Sequence, residues 1–155
     1  MLQYLREPVQ ALIEMRRVLV PGGVIGIACW DLGTVVREPA SALFDQLTAL
    51  NVRSLQHEGD DPFAGRHLRR WLLEAGFVRA EAEASAISAG SPETLRRMAP
   101  LFKANLAGIT RTALAQGWMD QATVDAIAAE IDAWAERPDA YWAAMNGTAI
   151  GWVDT

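Results

Sequence analysis

Three consecutive residues, Pro21-Gly22-Gly23, constrain this chain more than any other feature, because of what lies on either side of them. Before them, from about Pro8 to Leu19, the apolar residues Val9, Leu12, Ile13 and Leu19 recur at helical spacing, while Arg6, Glu14 and Arg17 lie off that stripe. Pro8 suits a first helical position, where its missing N–H has no partner to lose. After them comes VIGIACW, Val24 to Trp30, a short β-rich run that is apolar on both faces. Such a run predicts a buried central strand, of the kind found in parallel sheets. The glycines turn the chain between the two. A helix, a tight turn and a buried strand form one step of an α/β fold.

The remainder extends that pattern. A second helix is expected over Pro39 to Leu55, burying Leu43, Phe44, Leu47 and Leu50, then a polar loop over Gln56 to Gly65. A third helix is expected over Arg66 to Ala75, with Leu68, Trp71 and Leu72 inward and Gly76 as its left-handed cap. Phe77 to Ser88 alternates: Val78, Ala80, Ala82, Ala84 and Ala86 share one face, and Arg79, Glu81, Glu83, Ser85 and Ile87 the other. One dry and one wet face predicts an outer, antiparallel strand. Ser91-Pro92 opens a helix that Pro100 is expected to kink or split before it ends near Gln116. Asp120 caps a helix striped by Val124, Ile127, Ile131 and Trp134. Pro138-Asp139 is expected to begin a short helix through Met145, with a last strand over Thr148 to Val153. The predicted sheet places Val24–Trp30 beside Thr148–Val153, with Phe77–Ser88 outermost and antiparallel to the last strand. All 155 residues fit a single domain.

Composition excludes several classes. The net charge is −5 and no long basic run occurs, which argues against a nucleic-acid partner. No segment approaches the roughly 18 apolar residues of a membrane span, and the start of the chain does not read as a signal peptide. No membrane partner and a cytoplasmic location are therefore expected. Cys29 stands alone in the apolar run, where it suits a small buried hydrophobe. His57 and His67 have no converging ligands, so no metal is expected. Asp60-Asp61-Pro62 reads as a turn, and Arg37 and Glu38 as solvated charges.

Trp30 and Asp31 follow the VIGIAC run, at the carboxyl end where open α/β sheets place ligands. Asp31 either orients or deprotonates a substrate group or serves as a turn or cap residue. Trp30 either walls a substrate or belongs to the core. Tyr141, with Trp142 and Trp152, either packs a core or interface or contributes to a substrate cage.

The segment LREPVQALIEMRRVLVPGGVIGI, Leu5 to Ile27, resembles the region between the fourth and fifth strands of class I S-adenosylmethionine-dependent methyltransferases. Its specific part is Arg17-Val18-Leu19 followed by Pro21-Gly22-Gly23. Gly65-Arg66 through Ala75-Gly76-Phe77 resembles the helix and turn before the family's sixth strand. Pro138-Asp139-Ala140-Tyr141 and Gly151-Trp152 resemble its closing helix and seventh strand. The resemblance implies the C-terminal half of a Rossmann-like domain, S-adenosylmethionine as cofactor and a small-molecule methyl acceptor. It places Tyr4, with Gln3 before it, near the cofactor, and Trp30, Asp31 and Tyr141 near the substrate. The family's glycine-rich turn and ribose-binding acid have no counterpart in this sequence, since Gly22-Gly23 precedes a strand. The chain alone is therefore expected to bind the cofactor weakly or not at all. The alternative is a non-catalytic α/β module that dimerises or binds a protein partner. On either reading, VIGIACW has partner strands for one edge only, and the other edge is expected to drive homo-oligomer formation.

Overall fold

The computed structural model describes residues 2–155. Its helices are α1 (Pro8–Arg17), α2 (Ala42–Glu58), α3 (Leu68–Glu74), α4 (Pro92–Ala115) and α5 (Gln121–Ala135). Its strands are β1 (Val24–Glu38), β2 (Arg79–Ala89) and β3 (Tyr141–Trp152), and single 3-10 turns form at Leu2–Tyr4 and Ala64–Arg66. The strands form one antiparallel sheet in the order β1-β3-β2, which is the order expected. Hydrogen bonds fix the directions. Val153 bonds Gly23 and Met145 bonds Thr34, so β3 runs antiparallel to β1. Val78 bonds Trp152 and Thr148 bonds the Glu83 carbonyl, so β2 is antiparallel to β3, also as expected.

The chain divides into two compact units. The first comprises Met1–Thr34 (described from Leu2), Gly59–Ile87 and Ala144–Thr155. Its core packs α1 and α3 on one sheet face, with Leu12, Leu68, Trp71, Leu72 and Phe77 buried against Ala80 and Ala149. Gly76 caps α3 at φ +85°, the left-handed conformation expected of it. Arg16 of α1 donates to the Ala75 carbonyl at 2.9 Å, tying the two helices together.

The second unit comprises Val35–Glu58 and Ser88–Ala143. Here α2, α4 and α5 pack on one another. Phe44 lies edge-on to Phe102 and Trp134, with ring centroids 5.3 and 5.2 Å apart, and Phe102 meets Trp142 at 5.6 Å. Ser91 and Asp120 cap α4 and α5 as their sequences predict, each accepting a bond from the backbone N–H three residues on.

Several expectations are corrected. The VIGIACW strand is not parallel: β1 runs antiparallel to β3 and continues to Glu38, while its place at the end of the sheet beside β3 is the one expected. Its two faces are unequal because helices cover only one. Ile25, Ile27 and Cys29 pack into the core, whereas Val24, Gly26 and Ala28 are exposed. The alanine face of β2 is wet for the same reason; α3 reaches Ala80, while Ala82, Ala84 and Ala86 are exposed. Pro100 does not split α4, since it lies on an exposed position where water can satisfy the carbonyl it leaves unbonded. The second helix begins at Ala42 and runs to Glu58, shortening the predicted loop. No helix follows Pro138-Asp139. Those residues form a turn closed by an Arg137–Asp139 ion pair, and Tyr141 already begins β3.

Candidate functional site

In the first unit the strand alternation that turns Ile27 and Cys29 inward also turns Asp31 inward, and the residue is only 4% exposed. A buried carboxylate is expensive unless it is paired and hydrogen-bonded. Arg66 supplies the charge. Its Nε donates to Oδ2 at 2.5 Å and its Nη2 to Oδ1 at 2.7 Å, a bidentate fork. The Gly33 N–H donates a further bond to Oδ1 at 3.0 Å. The Asp31 carboxylate in turn holds the Arg66 guanidinium above its ordinary pKa, so the cation persists. The Arg66 side chain is 51% exposed, and its outer edge faces water. Phe63 lies under it, with the guanidinium carbon 5.1 Å from the ring centroid.

Three glycines make this arrangement possible. A Cβ on Gly65 would stand 2.7 Å from the Cys29 carbonyl oxygen and 3.1 Å from the Asp31 Cβ. A Cβ on Gly33 would stand 2.5 Å from Arg66 Nη2, and one on Gly147 would meet the Gly65 backbone, its carbonyl carbon at 2.7 Å. Real Cβ contacts are not that short. The loop before α3 therefore lies directly on β1 and β3, which delivers Arg66 to Asp31.

The same loop is pinned elsewhere. Leu32 donates to the Pro62 carbonyl at 3.0 Å and Asp61 to the Gln3 carbonyl at 2.9 Å. The Asp61 carboxylate accepts the Phe63 N–H at 2.8 Å and pairs with His67 Nδ1 at 2.7 Å. Cys29 is buried beside Leu2 and Gln3; burial pushes its thiol pKa up, against the bonds those two backbones make.

Of the candidates from sequence, Gln3 and Asp31 are joined through residues 61–66, and Tyr4 follows Gln3 with its side chain largely exposed. Trp30 is half-buried and, by alternation, turns to the sheet face opposite Asp31. Tyr141 belongs to the second unit, where its ring lies against Gly90. Asp31 is neither turn nor cap but the anchor of an ion pair within a strand. Arg66, Gly33 and the Asp61–His67 pair were not singled out from sequence. The legible signal was a lone acid in an apolar strand, which demands a cation, and Gly65-Arg66 at a helix entrance supplies one. Arg37, read as solvated, is buried in the second unit. Its side chain is 5% exposed, bonds Asp45 and Thr48, and lies 4.4 Å above the Phe44 ring. Burial pulls its pKa down, and Asp45 pushes it back up.

Among the described residues no group of three or more His, Cys, Asp or Glu side chains is gathered to hold a metal ion. No described helix is long and apolar enough to cross a membrane.

No family model matches the sequence. An uncharacterized methyltransferase of Schizosaccharomyces pombe, C1B3.06c, is 36% identical over 85 residues, which is 55% of this chain and 30% of that protein. The chain thus spans about a third of the relative's length. Among solved structures, Haemonchus contortus phosphoethanolamine N-methyltransferase 2, in complex with phosphomonomethylethanolamine and S-adenosylhomocysteine, aligns with 99% of this chain and 32% of its own. The two are 13% identical, with a TM-score of 0.44. Over those 85 residues the chain is similar to an uncharacterized methyltransferase, in agreement with the resemblance carried by the helix–PGG–strand and Ala75-Gly76-Phe77 motifs.

Proposed function

We propose that the chain serves S-adenosylmethionine-dependent methyl transfer to a small-molecule acceptor, and that the Asp31–Arg66 pair orders its acceptor side. The observation that carries this reading is the pair itself. A buried, three-times hydrogen-bonded carboxylate holds a half-exposed guanidinium at a fixed orientation on the strand after the PGG turn. A held guanidinium presents its remaining N–H groups to an anionic or carbonyl oxygen with little reorganisation. Methyl transfer depends mainly on alignment of nucleophile and methyl carbon, so a rigid anchor is the contribution such a site needs.

When bound, S-adenosylmethionine supplies an electrophilic methyl group. The residues of this chain that we place against it are Tyr4, whose ring is exposed, and Gln3, whose backbone the Asp61 N–H fixes. Trp30 in the first unit and Tyr141 in the second are each kept as a separate candidate contact for the acceptor. A chain without a glycine-rich turn opening a helix lacks the backbone donors that hold such a cofactor tightly. Binding is therefore weak on this reading.

The test is transfer of labelled methyl groups from millimolar S-adenosylmethionine into a low-mass metabolite fraction. Transfer that Asp31→Asn reduces at least about tenfold, roughly 1.4 kcal/mol in the barrier, supports the reading. Absence of transfer at millimolar cofactor, or transfer unchanged by Asp31→Asn, refutes it.

A further inference from the structure

Asp31 and Arg66 are not the only charged couple on the loop before α3. His67 Nδ1 lies 2.7 Å from Asp61 Oδ2. A carboxylate can only accept, so the imidazole nitrogen is the donor. In the neutral ring the proton therefore sits on Nδ1, and the lone pair is left on Nε2. Nε2 bonds no other described residue and is not sealed from solvent, and the His67 side chain is 29% exposed. A carboxylate that fixes the tautomer and a bare Nε2 are the two parts of a proton acceptor.

Both members are held in place. The Asp61 Oδ1 accepts the Phe63 N–H at 2.8 Å, and the Asp61 N–H donates to the Gln3 carbonyl at 2.9 Å. The His67 N–H donates to the Ala64 carbonyl at 3.0 Å, and the imidazole leans on the Trp71 ring, with centroids 5.7 Å apart. The pair also belongs to the Asp31–Arg66 site. The Arg66 cation is held by Asp31 first and by the Asp61 charge after it, and the Cys29 thiol of β1 feels the same carboxylate. On one side, then, the pair is tied to Gln3 and Tyr4, and on the other it adjoins the Arg66 guanidinium.

We propose that His67, oriented by Asp61, is the general base of methyl transfer and that the acceptor reacts through a hydroxyl group. The proposal rests on the methyl-transfer reading above and names the acceptor class for it. As the O–H bond breaks, its proton passes to His67 Nε2. The oxygen pair forms the new bond to the methyl carbon, and the pair of the carbon–sulfur bond leaves on sulfur. Asp61 offsets the charge that the ring gains, and His67 then gives the proton to water. The acceptor class follows from what needs such a base. A neutral amine already offers a free pair, and a thiol ionises partly near neutrality. A hydroxyl does neither, so it gains most from a base fixed beside it.

The test uses S-adenosylmethionine with an isotopically labelled methyl group and a low-mass metabolite fraction. Product methyl groups are read by NMR, where methyl ethers stand apart from N-, S- and C-methyl groups. Methyl ethers are expected. His67→Gln, shown folded by circular dichroism, should lower the rate at saturating cofactor at least about a hundredfold without weakening cofactor binding. Asp61→Asn should lower it about tenfold or more. The residual His67→Gln rate should climb more steeply with pH than the wild-type rate, because an acceptor hydroxyl that ionises by itself no longer needs the base. A purely structural role would not produce that rescue. A second readout needs no cofactor. With both histidines nitrogen-labelled, the His67 resonances, assigned by their loss in His67→Gln, should show a protonated Nδ1 and a bare Nε2, and Asp61→Asn should mix the two tautomers. An Nε2–H tautomer in the wild-type chain overturns the proposal, and so do products other than methyl ethers. Transfer that Asp31→Asn reduces but folded His67→Gln leaves unchanged overturns it while the methyl-transfer reading stands. Absence of transfer overturns both.

Discussion

Arg66 grips Asp31 through two parallel hydrogen bonds, 2.5 and 2.7 Å long, across 35 positions of sequence. The grip depends on backbones that approach more closely than any side chain allows. Gly65→Ala would drive a Cβ into the Cys29 carbonyl oxygen, an atom that cannot swing aside. We expect that variant to lose about 1–3 kcal/mol, the usual penalty of overpacking, as read from the urea midpoint. Gly108→Ala, where a Cβ meets nothing within 4 Å, should cause no such loss and serves as the control.

Arg66→Met should lower the thermal midpoint by several degrees, because it leaves Asp31 buried without its cation. Adding Asp31→Asn to that variant should recover part of the loss, since the unpaired charge is then gone. A double variant less stable than the sum of the two single changes would contradict a specific ion pair at this position.

In the second unit, Phe44 touches Phe102 and Trp134 and carries the Arg37 guanidinium on its face. Phe44→Ala is expected to destabilise the protein by about 3–5 kcal/mol. The Trp134 Nε1 and the Arg37 Nε are buried without a hydrogen-bond partner. Trp134→Phe removes one of those unpaired groups while keeping an aromatic ring, so its loss should be well below that of Phe44→Ala. Chemical denaturation of both variants decides this.

Burial raises the Cys29 pKa from the ordinary 9.0. A raised folded pKa contributes stability that is complete below the unfolded value and is lost as pH rises through the folded one. Wild-type stability should therefore fall above about pH 9, and Cys29→Ala should show a shallower fall. On the acid side, hydrogen bonds from Thr123 lower the Asp120 pKa, and Arg137 lowers that of Asp139. Their contribution is present above the ordinary carboxylate value and disappears as pH drops through the lowered one. Thiol reagents should label Cys29 only as the protein unfolds, and rapid labelling of the native chain would contradict its burial.

Local patterns in the sequence carried the PGG turn, both side-chain helix caps and the Gly76 cap, because each depends on a few adjacent residues. Coverage was not local. VIGIACW looks alike on both faces, and only the placement of α1 and α3 decides that Ile25 and Ile27 are covered while Val24 and Ala28 are not. The alanines of β2 are small enough to stand in water or in a core, so their alternation did not fix their environment. At the site, Asp31 was legible as an acid at a strand end. Its partner was not, because Arg66 reaches it through a loop whose close approach depends on Gly33, Gly65 and Gly147, and these are far apart in the chain. Arg37 was misread for a related reason, since the ring that shields it belongs to a helix seven residues later.

The most direct test of the functional account is calorimetric titration of the purified chain with S-adenosylmethionine. We predict saturable binding with a dissociation constant weaker than about 10 μM, equivalent to roughly −7 kcal/mol, that Tyr4→Ala weakens further. A constant tighter than that, or binding indifferent to Tyr4→Ala, would contradict the account.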